Sequence, residues 1–172
     1  TAFIGSTGSG KSTLVNLIPR FYDVTGGEVL VDGVNVKDYP KDVLCSKLGY
    51  VPQKGVLFSG TIDSNIRYGC ESAPKEQILQ AAETAQAMEF IREKPDGFDS
   101  EISQGGTNVS GGQKQRLSIA RAIAPKPEIL IFDDSFSALD YKTDVAVRNA
   151  LKEYSRDAVT LIVAQRISTI LK

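Results

Sequence analysis

The sequence lacks histidine altogether and contains only two cysteines, Cys45 and Cys70, among its 172 residues. The absence of histidine removes the partner that a cysteine most often needs to bind zinc or to act as a nucleophile. The two cysteines are also far apart and show no metal-ligand spacing. We therefore interpret them as ordinary reduced cytosolic thiols.

The sequence also lacks an excess of basic residues and any apolar run of membrane length. It has 20 Lys and Arg against 21 Asp and Glu, a net charge of -1 and a pI near 5.5. It therefore carries no basic footprint, and no nucleic-acid partner is expected. Its longest apolar stretches, such as residues 158–164, have the length of a strand. With 41% hydrophobic and 24% charged residues, the composition is typical of a single soluble globular domain.

The first thirteen residues, TAFIGSTGSGKST, have the pattern of a loop that binds the phosphates of a nucleotide. A short apolar strand comes first, the glycines let the backbone wrap around an anion, and an apolar helix face follows. We expect Lys11 to reach the β- and γ-phosphates and the Ser12 hydroxyl to ligate Mg²⁺. The strand-loop-helix context disfavours the alternative of a plain glycine-rich turn. The predicted binding residues are Gly5, Ser6, Thr7, Gly8, Ser9, Gly10, Lys11, Ser12 and Thr13.

The hydrophobic patterns predict an α/β fold interrupted by a helical segment. Strands are predicted at residues 2–4, 28–31, 48–51, 128–132 and 158–164, with a short helix opened by Pro40 before the third. Helices with no convincing strand among them are predicted at 62–68, 75–85 and 88–93, and another at 113–123. The simplest arrangement is one domain, residues 1–172, with an α/β core of 1–53 and 125–172 and an inserted helical subdomain of 54–124.

A polar residue or a glycine directly follows each of four short apolar stretches: Gly5, Gln53, Asp133 and Gln165. The carboxyl ends of the strands in an open parallel sheet lie along one edge, where ligands bind. We therefore expect these four residues to converge on one nucleotide.

Two of these residues suit a metal site. An acid at the end of a buried strand, Asp133, can hold the Mg²⁺ that Ser12 also binds. Gln53 can offer an amide oxygen to the metal or to the attacking water. An acid after four apolar residues can also be a helix cap or a turn residue, but the phosphate loop beside it favours the metal site. The predicted metal residues are thus Ser12, Gln53 and Asp133.

A second motif, VSGGQKQR, extends from Val109 to Arg116. Ser110 can cap the helix that follows, and Gly111 and Gly112 expose backbone N–H groups at its N-terminus, which is an anion site. The phosphate loop at residues 5–12 is expected to bind this chain's own nucleotide. The second motif can therefore bind the γ-phosphate of a nucleotide on a second subunit. The local chemistry is equally compatible with a plain helix start.

Taken together and in this order, five motifs resemble the nucleotide-binding domain of an ATP-binding cassette (ABC) transporter. They are GSTGSGKST, VPQ at 51–53, VSGGQ at 109–113, ILIFDD at 129–134 and SALD at 137–140. The resemblance covers nearly the whole chain and implies a P-loop NTPase core of the RecA-like type. The stretch LFSGTIDSNI at 57–66 further resembles multidrug and peptide exporters.

The resemblance also implies cofactors and partners. Two such domains form a head-to-tail dimer, with ATP and Mg²⁺ held between one subunit's phosphate loop and the other subunit's VSGGQ. Transmembrane domains are expected on the same full-length chain, which would place this domain at the cytoplasmic face of the membrane. The chain opens on Thr1 within an apparent strand, so we expect it to be a piece of a longer protein. The residues expected to contact the partner's ATP are Ser110, Gly111, Gly112, Gln113 and Asp140.

The sequence departs from the family pattern at two catalytic positions. Asp134 stands where the family has the glutamate that polarises the attacking water, and Gln165 stands where it has a histidine that contacts the γ-phosphate. A carboxylate arm one methylene shorter withdraws its oxygens by roughly 1 Å, and a misplacement of that size can cost about 10²-fold in rate. Gln165 can bond a phosphate oxygen but offers no titratable imidazole. With Gln53, these residues form the predicted catalytic set.

These departures predict a weakly hydrolytic site, as in one half of a heterodimeric exporter, whose intact VSGGQ completes the partner's site. A fully active symmetric ATPase is an alternative, because an aspartate can act with a repositioned water. A soluble ABC protein that acts on chromosomes or translation is disfavoured by LFSGTIDSNI and by the lack of a basic face. The loop EISQGGTN at 101–108 is less acidic than the family's usual loop.

Overall fold

The computed structural model describes residues 1–165 and centres on a parallel sheet of four strands. The strands are β1 (Ala2–Ile4), β4 (Leu48–Val51), β7 (Ile129–Asp133) and β8 (Val159–Ala164), and their order across the sheet is β1-β8-β7-β4. Every neighbouring pair is parallel. The α/β fold class predicted from the sequence is confirmed. Residues 166–172 of the predicted core lie outside the described residues.

Alternation along the strands gives the sheet two differently packed faces. On β7, Ile129 and Ile131 belong to small clusters with α1 (Lys11–Val15) and α2 (Lys41–Ser46). Leu130 and Phe132 belong to a larger cluster on the opposite face. Asp133 continues the odd-numbered series, so alternation directs its side chain to the face that α1 covers.

The larger cluster joins the sheet to four helices that bury their apolar sides. These are α3 (Ile62–Ile66), α4 (Lys75–Thr84), α6 (Gly111–Ile123) and α7 (Tyr141–Tyr154). The long helix α6 belongs to the segment predicted to be a helical subdomain, and it joins that segment to the sheet by packing on β4 as well as on α3 and α4. The short helix α5 (Met88–Arg92) completes this layer.

Most predicted elements are confirmed, with shifted ends. Helix α6 begins two residues earlier than predicted, because the Ser110 hydroxyl accepts from the Gln113 N–H and starts the helix at Gly111. Helix α3 ends at Ile66 rather than at residue 68. The strand predicted at 28–31 shortens to β2 (Leu30–Val31), which forms a hairpin with β3 (Val34–Asn35).

One pairing was missed. Residues 60–61 form β5 (Gly60–Thr61), which pairs antiparallel with β6 (Glu101–Ile102). Each of these strands is only two residues long, too short to produce an alternating pattern in the sequence.

Within residues 1–165, no helix is long and apolar enough to span a bilayer.

Gly49 permits the close approach of α6 to β4. A Cβ built on Gly49 would collide with the Ala122 carbonyl oxygen and lie 2.7 Å from Leu130 Cδ2 and 2.8 Å from Pro127 Cγ. We predict that Gly49→Ala destabilises the chain by about 1 to 3 kcal/mol, since the helix backbone must shift to make room. Urea unfolding measures this loss. Gly26→Ala is the matched control, because its Cβ would meet nothing within 4 Å, and an equal loss for both variants would contradict the prediction.

Candidate functional site

The four residues predicted to converge lie at the carboxyl edge of the parallel sheet. Gly5 follows β1, Gln165 follows β8, Asp133 ends β7, and Gln53 lies two residues beyond β4. Since these strands are neighbours in the order β1-β8-β7-β4, the topology brings their ends side by side. Side-chain hydrogen bonds link Gln53 and Gln165 to a common neighbour, Asp134.

The phosphate loop closes around the Lys11 ammonium group. Its Nζ donates to the carbonyl oxygens of Gly5 (2.7 Å) and Ser6 (2.6 Å) and to Ser9 Oγ (3.1 Å). Gly8 and Gly10 have φ of 81° and 85°, a left-handed conformation that other residues rarely adopt. The loop backbone and the lysine therefore surround a concave, electropositive surface that fits a phosphate.

The Ser12 hydroxyl and the Asp133 carboxylate meet between α1 and β7. Ser12 Oγ donates to Asp133 Oδ1 at 2.8 Å, and Asp133 is only 6% exposed. Because the hydroxyl donates its hydrogen bond to the carboxylate, the lone pairs of its oxygen are available to a cation. Among residues 1–165 there is no group of three or more His, Cys, Asp or Glu that could hold a metal. One buried carboxylate beside one hydroxyl oxygen is a donor set that fits Mg²⁺, which is typically held by one or two carboxylates together with phosphates of the substrate.

Asp134 and Asp133 are neighbours in sequence but lie in different surroundings. Asp134 has φ of 49°, a left-handed conformation that aspartate tolerates better than most residues. Its N–H donates to the Val163 carbonyl oxygen (3.0 Å), and its own carbonyl oxygen accepts from the Ser137 hydroxyl (2.8 Å). The backbone of Asp134 is thus held on both sides where β7 ends.

A chain of hydrogen bonds joins Asp134 to the two predicted glutamines and to the phosphate loop. Gln53 Nε2 donates to Asp134 Oδ2 at 3.2 Å, and Gln165 Nε2 donates to the same oxygen at 2.9 Å. The Gln165 amide oxygen accepts from Thr7 Oγ1 at 3.2 Å. All three predicted catalytic side chains therefore meet at one carboxylate oxygen.

Sequence reasoning missed Tyr50, which contacts Asp133 of this site, and Asn16, whose side chain contacts Tyr50. Tyr50 Oη lies 2.8 Å from Asn16 Oδ1 and 3.3 Å from Asp133 Oδ2. Burial and the nearby Asp133 carboxylate raise the pKa of Tyr50, so its phenol stays protonated. The available signal was alternation, which places Tyr50 on the same sheet face as Asp133.

The VSGGQ motif forms a complete helix cap. The Ser110 hydroxyl accepts from the Gln113 N–H (3.2 Å), and the Gln113 side chain accepts from the Ser110 N–H (3.1 Å). A Cβ built on Gly111 would meet nothing within 4 Å, and one built on Gly112 would lie 3.6 Å from the Ala138 carbonyl oxygen. Within the described chain, no hydrogen bond links residues 110–113 to the phosphate loop. The start of α6 lies beside Ala138 of the SALD motif.

Asp140 of the SALD motif caps α7. Its Oδ1 accepts from the Thr143 N–H (3.0 Å) and its Oδ2 from the Thr143 hydroxyl (2.6 Å). These bonds lower the pKa of Asp140 and keep it ionised. The start of α7 thus presents a fixed negative charge near VSGGQ.

Comparison with known proteins identifies the chain. The sequence profile of the family described as "ABC transporter" matches residues 1–137. The chain belongs to the ABC transporter family. A Staphylococcus aureus (strain NCTC 8325 / PS 47) protein named "Putative multidrug export ATP-binding/permease protein" is 50% identical over 169 residues. That match covers 98% of this chain and 29% of the relative. The corresponding protein of the bovine strain RF122 / ET3-1 is 49% identical, with the same coverage.

A solved structure supports the same assignment. It is titled "Structure of a bacterial Atm1-family ABC exporter with ATP bound", and its TM-score is 0.93 at 39% identity. The match covers 98% of this chain and 30% of that chain. The chain therefore has the fold of an ABC nucleotide-binding domain, and the predicted P-loop NTPase core is confirmed. It spans about a third of the length of these relatives.

Lys11 provides the first test of the ABC phosphate loop. Lys11→Ala removes the one ammonium group enclosed by the loop, so we predict at least a tenfold loss of ATP affinity. Equilibrium binding of a fluorescent ATP analogue to the full-length protein measures it. The exposed Lys75 on α4 supplies the control, and Lys75→Ala should leave affinity unchanged. Unchanged affinity in Lys11→Ala would refute the assignment of the loop.

Proposed function

We propose that this chain is the ATP-binding domain of an exporter and that its own ATP site hydrolyses slowly, while its VSGGQ completes the site of a partner domain. The observation that carries the proposal is the shared hydrogen bonding at Asp134. Both amide groups, from Gln53 and Gln165, donate to the one oxygen Oδ2. ATP would be bound by residues 5–13, with Ser12, Gln53 and Asp133 serving the Mg²⁺ ion.

The chemistry of Asp134 supports slow turnover. The Oδ2 oxygen of Asp134 already accepts from two amide N–H groups, so an attacking water must compete with them for it. Its arm is also one methylene shorter than that of glutamate, and misplacement by roughly 1 Å can cost about 10²-fold in rate. The amide of Gln165 donates a hydrogen bond to Asp134. The same amide can bond a phosphate oxygen, but it lacks the titratable imidazole of the family's histidine. Both departures from the family pattern thus fall on one ATP site.

The geometry of VSGGQ supports a role in a second subunit's site. Its capping bonds leave the N–H groups of Gly111 and Gly112 at the start of a thirteen-residue helix, where the helix dipole favours an anion. The chain's own phosphate loop has no hydrogen bond to this motif within residues 1–165. A head-to-tail dimer, formed as a heterodimer in this proposal, would bring the two motifs together across the interface. Ser110, Gly111, Gly112, Gln113 and Asp140 are the contacts we assign to the partner's ATP.

The wider assembly is proposed from the relatives. Their names describe export proteins that combine ATP-binding and permease functions, and this chain spans 29% of such a relative. We propose that transmembrane domains lie on the same full-length chain and that this domain works at the cytoplasmic face of the membrane. The competing candidate is a symmetric, fully active ATPase. It is favoured by the fixed backbone of Asp134, which keeps a carboxylate next to Asp133.

Replacement of Ser110 tests the contact with a partner. Ser110→Arg places a bulky cation where the γ-phosphate of the partner's ATP would lie. We predict that it leaves ATP binding by this chain intact and lowers the ATPase rate of the assembled transporter at least tenfold. Photolabelling of each subunit with 8-azido-ATP, together with phosphate release, separates the two effects.

The control for Ser110→Arg is another helix cap of the same kind. Thr61 caps α3 through a capping box with Ser64, so Thr61→Arg removes a similar cap away from the proposed interface. It should leave the rate of the correctly folded transporter nearly unchanged. Loss of this chain's own labelling in Ser110→Arg, with turnover preserved, would contradict the contact in trans.

Asp134→Asn decides between the slow site and the symmetric ATPase. If Asp134 contributes little to turnover, Asp134→Asn should change the transporter's rate less than threefold, whereas removal of the partner's corresponding glutamate should nearly abolish it. Asp134→Glu combined with Gln165→His should raise hydrolysis at this site. A fall of two or more orders of magnitude in Asp134→Asn would identify Asp134 as the working base and favour the symmetric ATPase.

A further inference from the structure

Tyr50 lies in the middle of β4, and its position on the sheet directs it toward Asp133. It is paired in register with Ile131 of β7, and Asp133 is two residues farther along on the same face. The Tyr50 side chain spans this diagonal, since its Oη lies 3.3 Å from Asp133 Oδ2. The phenol thus extends from β4 toward the end of β7.

Two hydroxyl groups lie within hydrogen-bond distance of the two oxygens of the Asp133 carboxylate. Ser12 Oγ, from α1, is 2.8 Å from Oδ1, and Tyr50 Oη, from β4, is 3.3 Å from Oδ2. Asp133 is 6% exposed, so little water is available to replace either partner. Loss of the phenol hydroxyl would remove a donor from the Oδ2 side and with it a restraint on the rotation of the carboxylate.

The phenol is itself held in place and remains a donor. The ring packs edge-on against Phe21, with centroids 5.4 Å apart and an interplanar angle of 77°. Its hydroxyl also lies 2.8 Å from Asn16 Oδ1, at the end of α1 and one turn after Ser12. A phenol has one proton, so Asn16 and Asp133 compete for it in this structure.

We propose that Tyr50 is a positioning residue for the magnesium site, whose hydroxyl fixes the Oδ2 side of Asp133 and thereby holds Oδ1 and the Ser12 hydroxyl in one orientation for the cation. This inference rests on the proposed role of Ser12 and Asp133. Mg²⁺ requires near-ideal octahedral geometry, so it is sensitive to rotation of a carboxylate. Groups that orient a metal ligand in this way typically contribute 10- to 100-fold to metal affinity.

The test is Tyr50→Phe in the full-length protein, which removes the hydroxyl and keeps the ring. The readout is photolabelling of this polypeptide by 8-azido-ATP as a function of Mg²⁺ concentration, and again in EDTA at higher nucleotide concentration. We expect the Mg²⁺ concentration for half-maximal labelling to rise roughly tenfold, with labelling in EDTA unchanged. If Tyr50→Phe lowers labelling in EDTA as much as it lowers labelling in the presence of Mg²⁺, the inference is overturned, since the nucleotide site is then damaged in general.

Two control variants separate positioning from packing. Asn16→Ala removes the competing acceptor, so the Tyr50 proton goes to Asp133 and the Mg²⁺ dependence should stay within twofold of the parent. Tyr154→Phe removes another half-buried phenol hydroxyl, which donates to the Ile123 carbonyl oxygen at 3.1 Å. This variant should also leave the Mg²⁺ dependence unchanged. If Asn16→Ala matches Tyr50→Phe, the hydroxyl only links α1 to β4 and the inference fails.

Asp133→Asn separates failure of this inference from failure of the proposed function. A large rise in the Mg²⁺ requirement of Asp133→Asn, without one in Tyr50→Phe, would overturn the role of Tyr50 alone. An unchanged requirement in Asp133→Asn would overturn the assignment of Asp133 to the metal, and the inference with it.

Discussion

The pairing of β7 between β4 and β8 is the constraint on which the site depends. Because β7 is hydrogen-bonded on both sides and buried on both faces, its carboxyl end has one possible position. The side chain of Asp133 then points to the face that α1 covers. There, the Ser12 hydroxyl at the end of the phosphate loop donates a hydrogen bond to it. The same parallel pairing sets Gln53 and Gln165 on either side of that end. A change that moved β7 would displace every polar group of the site together.

The break in strand geometry after Asp133 separates two adjacent acids into two chemical environments. The left-handed backbone at Asp134 turns its carboxylate away from Ser12 and toward the amides of Gln53 and Gln165. Asp133 thus contacts the hydroxyl groups of Ser12 and Tyr50, whereas Asp134 accepts from the amides of Gln53 and Gln165. This difference in partners, rather than the presence of two carboxylates, underlies the proposal of a site that binds ATP firmly and hydrolyses it slowly.

Several features could be predicted from the sequence because they depend on local physics. The phosphate loop requires glycines at left-handed positions, and Gly8 and Gly10 adopt them. Ser110 starts a helix because its hydroxyl satisfies an N–H three residues later. The four strand ends were predicted to converge because carboxyl ends of parallel strands share an edge. The two-residue strands β5 and β6 were missed because they are too short to show a pattern and join residues about forty positions apart.

The sequence by itself determined which chemical groups are available: a lysine in a glycine loop, an aspartate in place of glutamate, a glutamine in place of histidine, and no imidazole anywhere in the chain. Only the tertiary structure decided how these groups are shared. Gln53 and Gln165 meet on one oxygen of Asp134, and Tyr50 and Ser12 divide the two oxygens of Asp133. The physical reason is that a hydrogen bond depends on distances of about 3 Å and on direction. Residues separated by tens of positions acquire such distances only when the register of the sheet and the packing of α1 are both established.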